Sequence, residues 1–391
     1  MPNQLFKDLD TPCLIIEEKI MEANLARIAK LAADNQIKLR PHAKTHKSIE
    51  IARRQLQSGA IGITLAKTSE AIAFADNGIA DIFLAYPVVG EKKIKRLREL
   101  AGKCRMSVGI DSIEGAAELN RAFEGQLKKL PVLLEVDTGL GRTGIGIEKS
   151  RLLAEEITRM PYLELKGIYT YRGALLSQIT TGTTEKEMWK TIEQQGRAEA
   201  EAMGKLAADL RRLGFDIQVV SAGSTPTARS SVSVPGLTEI RPGTYVFNDV
   251  MQVKLGACGW EDCAAKVLVT VVSRPAPDRA VIDGGSKVFA GDVKPDTPPL
   301  NIKGLGTVIA LNGQPREDIL FERMTEEHGM LKLFGPAACN LKVGEQLLVI
   351  PNHICTTVNL FNELTVANTS IASGKAEIVD RWSVNSRGCV Q

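Results

Sequence analysis

The run Ile82-Phe83-Leu84-Ala85, a helical pattern over Ile94–Leu100 and the run Met106-Ser107-Val108-Gly109-Ile110 stand in that order. Each outer run is short and apolar, which suits a strand buried on both faces, while the middle segment repeats its apolar residues at helical spacing. A strand, a helix and a second strand of this kind make the crossover unit of a parallel sheet. The same alternation extends outward from residue 12 to residue 250. Before this unit lie Lys38-Leu39-Arg40 and Gly62-Ile63-Thr64-Leu65; after it come Val132–Val136, Leu165–Tyr169, Ile217–Val220 and Thr238-Glu239-Ile240, with a long helical segment over 184–213. Cys13-Leu14-Ile15-Ile16 and the helical pattern Ala23–Leu31 open the series. Eight strand candidates with helical connections predict a (β/α)8, TIM-like barrel. A doubly wound open sheet shares the local pattern, and the strand count and span favour the barrel.

After about residue 250 long helical periods give way to β-like runs separated by Gly and Pro, among them Ala265–Val272, Gly304–Ala310, Gln346–Ile350 and Ala376–Val379. We therefore expect an α/β chain of two domains: a barrel over 10–250 and a C-terminal, mostly-β domain over 251–391 that includes 1–9. The stretch Asp292–Pro299, with three prolines, reads as a surface loop.

Composition removes several function classes. Lys+Arg 49 against Asp+Glu 46 leaves a net charge of +3, and aromatic residues make up 5%, so nothing points to nucleic acid. No apolar run reaches the length of a membrane span. The first residues lack the order of a secretory signal, and seven scattered cysteines suit a reducing compartment, so a cytoplasmic protein is expected.

The most informative segment is Leu39-Arg40-Pro41-His42-Ala43-Lys44-Thr45-His46-Lys47. If extended, it places Arg40, His42, Lys44 and His46 on one face, near the carboxyl end of the first barrel strand, where such barrels put their active sites. Neighbouring positive charge favours the free amine of a lysine, the form that attacks an aldehyde. A solvated basic loop is the other reading; two of the four histidines falling within five residues weigh toward function. Further candidates follow later strands. Asp137–Gly144 sets three glycines around Arg142, Ser221-Ala222-Gly223-Ser224-Thr225-Pro226-Thr227 has the small, hydroxyl-bearing residues of a phosphate cradle, and Glu239–Tyr245 follows the last strand. In the β domain, His353 and Cys355 stand two apart, so an extended segment would aim both at one metal. By itself that spacing equally describes a buried Cys beside a hydrogen-bonded His. Thr325-Glu326-Glu327-His328-Gly329 adds an acidic pair beside a histidine, or an exposed turn.

Together, Arg-Pro-His-Ala-Lys-Thr-His-Lys (40–47), Ser-Ala-Gly-Ser-Thr-Pro-Thr (221–227), Glu-Glu-His-Gly (326–329) and Pro-Asn-His-x-Cys (351–355) resemble, in order, the D-threonine aldolase / D-serine dehydratase family of pyridoxal-phosphate enzymes. The resemblance covers nearly the whole chain. It implies the alanine-racemase fold (the type III pyridoxal-phosphate fold) and a homodimer in which each β domain covers the other barrel mouth. It implies Lys44 as the Schiff-base lysine, with Tyr171 as the second catalytic candidate. Arg142 would sit near the cofactor's phenolic oxygen and Arg241 near the pyridine nitrogen. Ser224, Thr225 and the Gly243–Thr244 backbone would hold the phosphate with Tyr245, beside His42, and His353 and Cys355 would hold a divalent metal. That metal is expected to be zinc, with Mn²⁺ or Mg²⁺ as alternatives.

Two departures matter. Aldolases of the family usually carry Asp where this chain has Cys355, whereas dehydratases carry Cys. Tyr171 stands where relatives usually have a histidine. The implied substrate is a small β-hydroxy-D-amino acid, either dehydrated to a keto acid and ammonia, as D-serine or D-3-hydroxyaspartate would be, or cleaved by retro-aldol reaction. An amino-acid racemase of the same fold is the alternative.

Overall fold

A computed structural model describes residues 6, 8–310, 312–370 and 375–391. Eight parallel strands form one curled sheet in the order Lys38–Leu39, Glu239–Ile240, Val219–Ala222, Leu163–Tyr169, Leu130–Asp137, Arg105–Ile110, Asp81–Leu84 and Ile63–Leu65. The two end strands meet through a parallel bridge between His42 and Thr64. Thr64 N–H donates to the Pro41 carbonyl and Ala43 N–H to the Thr64 carbonyl, so the sheet curls into a barrel. Its strands read as continuous apolar runs because helices cover the outside: Val132, Leu134, Ile168 and Val220 are fully buried in one core with helix residues such as Leu97, Leu119, Ile157 and Met203. The interior also holds polar groups. Arg40 pairs with Glu239 (2.8 Å) and with Asp81, and the Tyr169 hydroxyl donates to Glu135 (2.8 Å).

The helix Glu185–Arg212 matches the long period in the sequence; Thr184 and Glu187 form a capping box at its start. Its buried stripe runs Met188, Ile192, Gln195, Glu199, Met203, Leu206 and Leu210, so two polar residues lie on the apolar face.

The second sheet has nine strands, almost all after residue 264. It also recruits Cys13–Glu17, which pairs antiparallel with Ala265–Ala276 and parallel with Glu363–Ser370. The expected division put residues 13–17 with the barrel region; their hydrogen bonds lie in the β domain. The reason is burial on both faces. Leu14 and Ile16 pack with Val267 and Val349, whereas Ile15 packs on the opposite side with Leu268 and Ile350. Of residues 1–9, Phe6, Asp8 and Leu9 are described, and Phe6 exchanges two hydrogen bonds with the Gln346 side chain of this sheet. The rest of that stretch lies outside the described residues.

Candidate active site

Beyond Leu39 the chain stops pairing as a strand. Pro41 has no N–H to continue the ladder, and residues 43–46 turn, with Lys47 at φ 52°. The single face expected for Arg40, His42, Lys44 and His46 therefore splits. Arg40 stays among the barrel carboxylates. His46 is buried away from the site, its Nδ1 accepting from Ser48 N–H (3.1 Å) and its Nε2 meeting Gln55 Oε1 (3.3 Å). Burial pushes the His46 imidazole down to about 4. His42 and Lys44 remain together, with the Lys44 N–H donating to His42 Nδ1 (3.3 Å). Burial, and then the charges of Lys44 and Arg241, hold the His42 imidazole well below its ordinary range.

These two line a cavity of about 550 Å³ with Tyr171, Ser224, Thr225, Arg241, Gly243 and Thr244 from later barrel loops, and with His353 and Cys355 from the β domain. Gly223, at φ +82°, lets the chain turn into Ser224, whose N–H and hydroxyl both meet Thr227 Oγ1 (3.0 and 2.9 Å). A Cβ on Gly243 would lie 2.9 Å from the His42 carbonyl oxygen, so a side chain here would push on the Lys44 turn. Arg241 donates to the Thr170 carbonyl (2.5 Å) and to the Ser221 hydroxyl, which in turn donates to Glu239 (2.6 Å). Burial lowers the Arg241 pKa, and Glu239 is the strongest group opposing that shift. The Tyr171 ring centre lies 5.5 Å from Lys44 Nζ and 4.9 Å from the Arg142 guanidinium carbon.

His353 and Cys355 come together, though not by strand alternation. His353 is extended (φ −136°), and a short helix, Ile354–Val358, begins immediately after it. His353 Nδ1 is 2.6 Å from Asp292 Oδ2, and Cys355 Sγ is 3.2 Å from Thr45 Oγ1. Burial opposes protonation of His353, but Asp292 and Cys355 outweigh it and raise the imidazole to about 11. Burial alone would raise the Cys355 thiol; the hydrogen bond and charge of His353 reverse that and leave it below its ordinary value.

Models of two families match this chain: the N-terminal domain of alanine racemase over residues 16–250 and a putative serine dehydratase domain over 264–367. The chain belongs to the D-threonine aldolase / D-serine dehydratase family of pyridoxal-phosphate enzymes, built on the alanine-racemase fold. It is 31% identical to D-threonine aldolase of Arthrobacter sp over 99% of this chain and 95% of that protein. It is 32% identical to D-threo-3-hydroxyaspartate dehydratase of Delftia sp. (strain HT23), over 89% and 92%. Among solved structures, D-threonine aldolase from Filomicrobium marinum matches with a TM-score of 0.85 at 27% identity, covering 100% of this chain and 99% of that one. A cysteine-to-alanine variant of D-threo-3-hydroxyaspartate dehydratase in the metal-free form also scores 0.85, at 28% identity over 96% and 97%.

The cavity fits both groups that this family fold implies. For the cofactor, Lys44 opens into the same space as Ser224, and the Gly243 and Thr244 N–H groups have no hydrogen-bond partner among the described residues. For the metal, Asp292 engages one imidazole nitrogen and so orients the other, the usual support for a ligating histidine. Among the described residues no group of three or more His, Cys, Asp and Glu could hold a metal ion, so His353 and Cys355 stand as a pair of candidate donors.

Arg142 stacks on the cavity residue Tyr171, and its charge is among those that lower the His42 pKa. Not every residue expected in the site of this family member reaches it. The Tyr245 phenol is buried elsewhere and accepts from Gln55 Nε2 (3.2 Å), while its backbone N–H donates to Thr225. Glu326, Glu327 and His328 are exposed on a hairpin turn, with Glu327 paired to Lys287. Four residues near the site were missed. Thr45 lay inside the quoted motif, and Lys47 beside it lines the cavity and pairs with Glu70 (3.3 Å). Glu199 was visible as an acid on an apolar helix face. Asp292 had no sequence signal, being 61 positions from the histidine it meets.

Proposed function

We propose that this chain is a pyridoxal-phosphate- and metal-dependent lyase acting on β-hydroxy-D-amino acids. The observation that carries this reading is the meeting of Lys44 with the His353–Cys355 pair in one cavity. When bound, pyridoxal phosphate supplies an electron sink for negative charge at Cα, and a divalent cation supplies Lewis acidity at the β-oxygen. Lys44 would anchor the cofactor through its amine, then take or return the proton at Cα. Ser224, Thr225 and the Gly243–Thr244 backbone would hold the phosphate, with His42 beside them. Arg241, pinned by Thr170 and Ser221, would donate toward the pyridine nitrogen. His353 and Cys355 would hold the metal, and a thiolate with an imidazole favours Zn²⁺ over harder ions such as Mn²⁺ or Mg²⁺.

Dehydration is the first reading. It needs one base at Cα, which Lys44 provides, and departure of the β-hydroxyl from the metal side. Retro-aldol cleavage needs a base at the hydroxyl itself, for which Tyr171 is the candidate; the similarity to an Arthrobacter D-threonine aldolase favours this second reading. A racemase would leave the His353–Cys355 pair without work.

A homodimer belongs to the same proposal. Tyr86, Val89, Ile113, Ile147 and Tyr171 are exposed in the segments that follow the carboxyl ends of barrel strands, and a second copy would cover them. The seven cysteines are unpaired, which supports a cytoplasmic site of action. No helix of the described residues is long and apolar enough to cross a membrane.

The test is to incubate the cofactor- and metal-loaded protein with a panel of β-hydroxy-D-amino acids and score ammonia against aldehyde. Turnover of none of them, with both groups bound, would refute the reading.

A further inference from the structure

Resting on that lyase reading, we infer that the substrate's β-substituent is apolar, and that Met251, Leu255, Leu176 and Ala174 select it. Cβ of such a substrate carries Cα, a hydroxyl, a hydrogen and one variable group. Placing the hydroxyl at His353 and Cys355 sends the variable group toward whatever borders that pair. Met251 lies beside it: its backbone N–H donates to the carbonyl of Asn352, the residue before His353 (3.2 Å), and it lines the same cavity as His353 and Cys355. The contact is fixed. Asp249 caps the helix Val250–Lys254 through Gln252 N–H (2.8 Å) and accepts from Ile354 N–H (2.9 Å), so the two short helices move as a unit.

Met251 is also part of a small apolar cluster. Ala174, Leu176 and Met251 pack against Ile179, Met188, Ile192 and Leu255, and the first three with Leu255 face the cavity. The cationic side chains of the cavity are engaged elsewhere. Lys44 belongs to the cofactor, Lys47 pairs with Glu70, Arg241 is held by Thr170 and Ser221, and the His353 imidazole is tied to Asp292 beside the metal position. Among the described residues no cation stands on the apolar wall to balance a β-carboxylate, and a buried charge without a partner is strongly disfavoured. A methyl or aryl group there removes apolar surface from water instead.

The experiment measures kcat/KM of the loaded enzyme for D-serine, which has no substituent, and for D-threonine, D-3-phenylserine and D-3-hydroxyaspartate as both β-diastereomers. We expect the better diastereomer of D-threonine or D-3-phenylserine to exceed D-serine by roughly tenfold or more, the order of a well-filled apolar subsite, and hydroxyaspartate to fall below D-serine. Met251→Arg and, on the neighbouring loop, Leu176→Arg should each raise the hydroxyaspartate-to-threonine ratio by at least roughly tenfold, as a new partner for the carboxylate would. If hydroxyaspartate equals or exceeds D-threonine in the native enzyme while D-serine is also consumed, this inference falls and the lyase reading stands. If neither arginine variant that folds moves the ratio, the wall is not the selector. If no compound is consumed, D-serine included, the lyase reading fails and takes this inference with it.

Discussion

Glu199 should make the protein less stable as the pH rises, and Glu199→Gln should abolish that loss. Glu199 is 1% exposed on the helix Glu185–Arg212, and it ties together two segments of the cavity. Its Oε1 accepts from Arg172 N–H (2.8 Å), next to Tyr171, and the Gly223 N–H, next to Ser224, also reaches the carboxylate. Oε2 is buried with no partner and is the atom suited to carry a proton. Burial raises the carboxyl from 4.5 to about 7, against the two N–H groups and the charges of Arg241 and Arg172.

Between about pH 4.5 and 7 the folded chain keeps a proton that the unfolded chain has released, so stability declines across that window. At 1.36 kcal/mol per unit, the full cost above pH 7 is roughly 3 kcal/mol. The glutamine variant is neutral throughout and keeps an oxygen for the Arg172 N–H. Compared with the native chain, it should therefore gain up to roughly 3 kcal/mol between pH 5 and pH 8, or about 3–4 °C in midpoint if the two domains unfold together. Thermal unfolding of both proteins at matched cofactor loading measures this. If the two midpoints change in parallel with pH, Glu199 is ionised at all these values and the reasoning fails.

Lys44→Ala should remove both turnover and the visible absorbance of the attached cofactor; a borohydride-reducible adduct in that variant would show that another lysine is the anchor. Exhaustive chelation should stop turnover of β-hydroxy substrates while cofactor absorbance persists, and Cys355→Asp should shift metal preference from Zn²⁺ toward Mn²⁺ in a competition assay. Glu239→Leu should destabilise the barrel by roughly 3–5 kcal/mol in denaturant, since it strips the largely enclosed Arg40 of its buried partner and Ser221 of its acceptor; a loss under about 1 kcal/mol would mean that Asp81 alone satisfies Arg40.

The barrel was legible because its strands are buried on both faces, so their apolar runs stand out against amphipathic helices such as Glu91–Ala101. The strand Cys13–Glu17 was harder to place. It has the same apolar run, and only its partners, 249 and more positions later, show which sheet receives it. Local alternation misled at residues 40–47, where Pro41 and the following turn end the two-residue period before His46. At His353 and Cys355 the assumed conformation differed but the meeting of the two side chains did not: His353 is the extended residue before the helix, and Cys355 lies in the first turn of that helix. Asp292 carries only the signal of a Pro-rich loop, since proximity created by the fold leaves no mark at a separation of 61 residues.

These cases share a physical cause, and it bears on how the site works. Lys44, the proposed anchor, lies on the barrel, and His353 and Cys355, the proposed metal pair, lie on the β domain, so neither domain alone brings them together. A few contacts set that distance: Thr45 Oγ1 against Cys355 Sγ (3.2 Å), Thr244 Oγ1 against the same sulfur (3.7 Å), and Asp249 capping one short helix while accepting from the next. Thr45 follows Lys44 directly, and its hydroxyl lies close enough to Gly243 that a Cβ there would approach it to 3.1 Å. The turn that carries Lys44 therefore also touches the Gly243–Thr244 loop and the Cys355 thiol. A small displacement of the β domain would move His353 and Cys355 relative to Lys44 without unfolding either core. Activity should thus be lost before stability when this seam is loosened.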